Sequence, residues 1–444
     1  MLNTTIFGAL VALIIITPIP YGTVEPWWKA AFVCAIFAIC ILAILNALLS
    51  RNDRIAGISI LLPMLALCAL AFIQTISLGS RTQADLHVWN AISADPYQTR
   101  FFALQILALT AFLALLYRYA STERRIRVLV YTVLAVAVAS AIFGILRQST
   151  QQQTGFILPL LKQNQGYGQF INKNHFAYLM EMAFGLGLGI ILGGGVKRDR
   201  LMIYVALLLP IWTALVLANS RGGVLAMLTQ IICAVLLLIS LRDYELPKVA
   251  HSVAFKTLLL VVLIAGVLCG TFWVGGDRLA TNFEATTSEF KGNTTREGAS
   301  RNEIWRATLK MFAAHPILGV GLGGYWIGIT AYHDASGLMT PQEAHNDYLE
   351  LLSSGGVIGF ALGVWFLVNV IRKTRENLLV DSGYMRAVRF GAILGIAGVA
   401  GHSLVDFGLH ILGNAVVFMI LIMIATTSAN SSSPAKAQRR KEET

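Results

Sequence analysis

Residues 30–49 read AAFVCAIFAICILAILNALL, a run with no charge and one amide side chain, Asn46. A helix of that length covers about 30 Å, the thickness of a bilayer's hydrocarbon core. Lipid offers the backbone no hydrogen-bond partner, so such a run is helical. The pattern recurs at 5–20, 57–76, 101–117, 128–146, 176–194, 201–218, 222–240, 254–274, 349–371, 387–404 and 413–427. Of 444 residues, 56% are hydrophobic and only 13% charged, with a mean hydropathy of +0.68. A soluble domain carries about 25% charge. The expected fold class is an all-α polytopic membrane protein with about twelve transmembrane helices.

The first run, from Ile6 to Pro20, has no basic segment before it and no small-x-small cleavage site. It reads as a retained span and not as a removed signal peptide. Cys34, Cys40, Cys68, Cys233 and Cys269 all lie within apolar runs and show no disulfide or zinc spacing. They act as small hydrophobes.

The net charge of +11 and pI near 9.5 follow from membrane topology. Of the 34 Lys and Arg residues, thirteen are spread over the odd-numbered connections, some of them long: 21–29, 77–100, 147–175, 219–221, 275–348 and 405–412. The other twenty-one crowd the short even-numbered connections and the C-terminal tail. The density differs about threefold, and excess Lys and Arg marks cytoplasmic loops. Both termini are therefore expected in the cytoplasm, and the long loops on the outer, periplasmic-type face. No nucleic-acid partner is implied; membrane lipids are the expected surroundings.

Four regions follow: 1–274 with helices one to nine, a large periplasmic loop at 275–348, helices ten to twelve at 349–427, and a disordered basic tail at 428–444. A loop of that length between spans is uncommon unless it is functional. Within it, Arg301 to Ala313 reads as an amphipathic helix. Ile304, Trp305, Thr308 and Met311/Phe312 share one face, and His315-Pro316 ends the helix. Gly185, Gly189 and Gly193, and again Gly391 and Gly395, recur at helical spacing as small-xxx-small steps for close helix packing.

Polar chemistry gathers at the outer ends of the spans. Arg221, followed by Gly222-Gly223, presents a guanidinium at the membrane surface, where backbone amides can approach the same anion. A snorkelling arginine is the plainer reading. Arg301 opens the loop helix, where a solvent-facing charge is the ordinary alternative. His345 lies where the large loop re-enters the membrane, beside Glu343, Asn346 and Asp347. Its imidazole suits a general base at neutral pH, although a surface histidine would look the same. Gly319, Gly321 and Gly324 satisfy G-x-G-x-x-G, but no strand or βαβ unit surrounds them, so a turn or an amide nest replaces the dinucleotide reading. His402, Asp406 and His410 recur every four residues. Metal ligation is conceivable there, but buried hydrogen bonding or substrate contact fits better, because Gly408 and Gly413 interrupt any helix. Lys173, Asn174 and His175 form a further polar cluster at the outer start of span six.

NSRGG at 219–223, RNEIW at 301–305, HPILGVGLGG at 315–324, AHNDYLELL at 344–352 and GGVIG at 355–359 resemble the bacterial O-antigen ligase and polymerase superfamily, most closely its ligases. The strong match covers about 215–360. PYG at 20–22, GQFINKNHFAYL at 168–179 and HSLVDFGLH at 402–410 extend it over most of the chain.

The resemblance implies a GT-C-like glycosyltransferase. It would move a glycan from undecaprenyl pyrophosphate to a hydroxyl of lipid A–core at the periplasmic face, without cofactor or metal. On this basis Arg221 and Arg301 would hold the donor pyrophosphate and His345 would act as base in an inverting displacement. Asn346, Trp305, Asn174, His175, Lys173, His402 and Asp406 would support them. An O-antigen or exopolysaccharide polymerase using the same donor is the nearest alternative. A transporter or flippase is disfavoured because the ionisable groups sit at span ends and not at the midplane, Glu181 excepted.

Overall fold

The computed structural model describes residues 2–50, 56–77, 91–150, 154–155, 158–162, 166–240, 301–333 and 340–428. The expected ninth span at 254–274, the first part of the large loop and the tail beyond 428 lie outside the described residues.

Among the described residues, eight helices run in order before the large loop: α1 (Leu2–Ile16), α2 (Pro26–Ser50), α3 (Ile58–Gln74), α4 (Pro96–Tyr119), α5 (Glu123–Thr150), α6 (Lys173–Leu192), α7 (Leu201–Leu217) and α8 (Arg221–Ser240). The loop contributes α9 (Arg301–Ala314) and the short α10 (Tyr325–Gly328), after which come α11 (Asp347–Val380), α12 (Gly383–His402) and α13 (Leu412–Thr426). Every expected span except the ninth falls on one of these helices. Among the described residues, seven helices are long and apolar enough to cross a bilayer (α2, α4, α5, α6, α7 with its leading 3-10 turn, α8 and α11), while α1, α3 and α13 are shorter apolar helices. The chain is a polytopic helical membrane protein. A two-stranded antiparallel hairpin, β1 (Thr154–Gly155) with β2 (Leu158–Lys162), is a small departure from all-α. It lies in the connection 147–175, outside the spans.

Exposure separates lipid-facing helices from central ones. α2 leaves Ile41, Ile44, Leu48 and Leu49 exposed, and α8 leaves Ile232 and Leu236 exposed, as expected of surfaces solvated by lipid. α6, by contrast, buries nearly its whole length. It packs chiefly against α12, and the glycine steps explain how. A Cβ on Gly189 would land on the backbone of Gly391, one on Gly185 would meet Gly395, and one on Gly193 would meet Ala387. Any side chain at these positions would force the helices apart, and in lipid close van der Waals contact is the main source of helix association.

A backbone carbonyl freed inside the bundle is matched by a neighbouring helix. Pro63 in α3 has no N–H for the carbonyl of Ser59, and Asn369 Nδ2 of α11 donates to that carbonyl at 2.8 Å. α11 breaks at Gly356, whose φ of 64° is left-handed. The glycine run of the loop lies against this break. The N–H groups of Val320 and Gly321 donate to the carbonyls of Ser353 and Ser354, and Val357 N–H donates to Pro316. Leu322 N–H donates to Gln74 Oε1 and Gly323 N–H to Thr99 Oγ1. The run is thus the expected turn but not an amide nest, because these amides are already used within the protein.

The connections 17–25, 166–172, 219–221, 340–346 and 403–411 interlock at one end of the bundle; Gly413 N–H, for example, donates to Gly22 O. The described basic connections lie at the other end. There Arg389, fully buried, donates to the last carbonyls of α13 (Ile424, Ala425 and Thr427) and pairs with Asp381.

Candidate functional site

His345 adopts φ +50°, a left-handed conformation unusual for a side chain with a Cβ. Its neighbours fix it there. On one side, Ala344 N–H donates to Glu350 Oε2 at 2.8 Å and Ala344 O accepts from Trp305 Nε1 at 3.0 Å. On the other, Asn346 caps α11: its Oδ1 accepts from the N–H groups of Tyr348 and Leu349, both at 3.0 Å, and its Nδ2 donates to Leu404 O. Trp305 is one helical turn beyond Arg301 on α9, the amphipathic helix expected from the sequence, with Ile304, Thr308 and Met311 buried. Asn346 and Trp305 therefore set the loop that carries His345.

The imidazole faces Asp406. Its Nδ1 lies 3.7 Å from Asp406 Oδ1, an electrostatic contact and not a hydrogen bond. Burial opposes ionisation of Asp406, but His345, with His175, His402 and the Phe407 amide, holds the carboxyl well below the usual carboxylate range. The other oxygen of Asp406 accepts from Asn174 Nδ2. Asn174 Oδ1 in turn accepts from Ser220 Oγ at 2.9 Å, and Lys173 Nζ donates to Asn219 O at 2.9 Å. Asn219 is itself left-handed, at φ +49°. A chain of polar contacts thus runs from the residue before Arg221 through Asn174 and Asp406 to His345. Arg221 is exposed and Arg301 half-buried. The rings of His175, His345 and His410 meet Phe407 edgewise, with centroids 5.0, 4.9 and 5.9 Å away.

Of the two readings of His402, buried hydrogen bonding and substrate contact, its surroundings match the first. His402 is fully buried, 2.8 Å from Glu181 Oε2 and stacked on Tyr178 at 4.0 Å between centroids. Gly222 packs directly on its ring. Helix α12 ends at His402, so the three residues spaced every four do not share one helical face, and each points to different partners. His410 Nδ1 lies 3.4 Å from Glu343 and 3.6 Å from Glu350, and its Nε2 lies 3.6 Å from Asp347. Burial disfavours a charged His410, but the carboxylates around it outweigh burial and raise its pKa to about 10. Burial likewise opposes ionisation of Glu343, yet His410, with Lys29 farther off, brings its carboxyl down to about 2. Glu343, Glu350 and His410 could reach one ion, their ligand atoms lying within 4.8 Å of one another. Imidazolium and Lys29 already supply counter-charge there, so the cluster is accounted for as an internal ion-pair network. The open groove lined by Val368, Ile371, Arg372, Arg375, Glu376 and Leu379 belongs to the far half of α11, and none of the candidate residues lines it.

Residues 203–364 match the family model described as O-antigen ligase. The match covers about a third of the chain. No curated protein matches the chain closely enough to count as a relative. The matched segment includes Arg221, Arg301 and His345, together with Trp305, Asn346 and Glu350. Asn174 and Asp406, which link the Ser220 turn to His345, lie on either side of the matched segment. Sequence reading missed Glu350 as a partner of Ala344 and Phe407 as a hub of three imidazoles. Glu350 stands inside the AHNDYLELL motif, but no spacing rule says that its carboxylate turns back to an amide six residues earlier.

Proposed function

We propose that this chain transfers a finished glycan from undecaprenyl pyrophosphate to a sugar hydroxyl of lipid A–core, at the outer face of the inner membrane. One observation carries the reading: within and around the matched segment, the turn bearing Arg221, the helix bearing Arg301 and the loop bearing His345 are tied together through Asn174, Asp406 and Trp305. In this mechanism His345 Nδ1 is turned towards Asp406, and Nε2 takes the proton from the acceptor hydroxyl. The acceptor oxygen forms a bond to the anomeric carbon as the bond from that carbon to the pyrophosphate oxygen breaks. The electron pair leaves on the pyrophosphate, where Arg221 and Arg301 offset the growing charge. Two guanidiniums can do here what a divalent cation does in other phosphate-leaving reactions. Attack opposite the leaving group inverts the anomeric configuration.

The test is His345→Ala in the source bacterium, followed by examination of its lipopolysaccharide. A disabled ligase leaves long chains on the carrier and bare core on the surface. Core capped with single repeat units identifies the polymerase alternative instead, and unchanged lipopolysaccharide refutes both.

A further inference from the structure

We propose that Glu350 is a positioning residue for the reaction, holding His345 in its left-handed conformation by accepting the amide hydrogen of Ala344. The inference rests on the reading above, in which His345 is the base.

His345 is a single residue between two clamped pieces of backbone. The peptide before Ala344 is held by Glu350 Oε2 and the peptide after it by Trp305 Nε1, while Asn346 is locked as the cap of α11. A left-handed φ at a residue with a Cβ persists only where its surroundings over-determine it, and such residues cluster at functional sites. Of these clamps, the bond to Glu350 is the most deeply enclosed. The Glu350 side chain is 7% exposed, so it acts through Ala344 and makes no contact with a substrate. It is placed in turn by α11, where Glu350 N–H donates to Asn346 O one turn after the cap, and by His410 at 3.6 Å. Losing the acceptor would leave the Ala344 amide buried without a partner, and the loop would relax around His345.

Two variants separate reach from the kind of acceptor. Glu350→Gln keeps an oxygen at the same reach and replaces the carboxyl by an amide; Glu350→Asp keeps the carboxyl and withdraws the oxygen by one methylene. Full-length protein is assayed with a lipid-linked glycan donor and lipid A–core acceptor. Amide exchange across 340–348 is followed by mass spectrometry in parallel. Glu350→Gln is expected to retain most of the parent activity. Glu350→Asp is expected to lose about 100-fold in kcat, the effect of a base misplaced by about 1 Å, with donor KM unchanged. Exchange at 340–348 is expected to quicken in the Asp variant and not in the Gln variant. The pH at which activity rises is expected to stay the same in all three proteins, because the base is moved and not chemically altered.

Equal activity of the two variants, or Asp more active than Gln, overturns the proposal. So does an effect confined to KM. His345→Ala is run alongside: full activity there refutes the reading of His345 as base. The exchange measurement needs no substrate and tests the clamp by itself.

Discussion

Gly222→Ala tests how the buried interior holds the turn that carries Arg221. The added methyl would fall on the His402 ring, well inside van der Waals contact. That ring has nowhere to go. It is 2.8 Å from Glu181, stacked on Tyr178, and wholly enclosed. Separating that buried pair leaves a carboxyl and an imidazole without partners, at about 1–3 kcal/mol for each group, whereas shifting a backbone to fit an extra methyl costs about 1–3 kcal/mol in all. The smaller cost wins, so the start of α8 moves by on the order of 1 Å and takes Arg221 with it. Alanine also favours the helix over glycine by about 1 kcal/mol, which offsets part of the strain. The expected variant is thus nearly as stable as the parent and about 100-fold slower. Turnover on lipid-linked donor and a thermal midpoint in detergent measure the two effects. Gly223→Ala is the control: its methyl would meet Leu215, Ala177 and Ser220 at 3.1–3.3 Å, far milder contacts than the one at Gly222. Parent-like turnover in Gly222→Ala refutes the argument. A large loss of stability also refutes it, because then the buried pair has broken and α8 has not moved.

The His410 cluster gives a pH dependence with a defined sign. His410 is raised from 6.5 to about 10, so its stabilising contribution is complete below pH 6.5 and fades as pH climbs towards 10. Glu343 is lowered from 4.5 to about 2, so its contribution is complete above pH 4.5 and fades as pH falls towards 2. The thermal midpoint of the parent is expected to fall between pH 6.5 and 10 relative to that of His410→Gln; parallel curves would refute this. Arg389→Met leaves Asp381 and the closing carbonyls of α13 unpaired in the interior. Its expected cost is about 3–5 kcal/mol, seen as a lower midpoint and lower extractable yield, with a smaller loss in Asp381→Asn. An unchanged midpoint in Arg389→Met is the contrary result.

Much of this protein is legible one segment at a time, because the bilayer acts on each segment one at a time. An uncharged run of span length is helical whatever its neighbours are, so the placement of α1 to α8 and α11 to α13 follows from local composition. The amphipathic stretch at α9 and the glycine steps of α6 and α12 are equally local patterns, and both behave as their spacing implies. The motifs also single out Arg221, Arg301 and His345 as the residues worth testing. Partnership is another matter. Asn174 reaches Asp406 across 232 positions, His402 reaches Glu181 across 221, and Leu322 reaches Gln74 across 248. Each pairing exists because a buried polar group must find a complement wherever the packed helices leave one. Only the tertiary structure could turn His402 inward, spend the loop's glycine amides on a broken α11, and set Glu350 behind His345. The apolar runs settle that the chain is a membrane protein; packing decides which of its polar residues face one another.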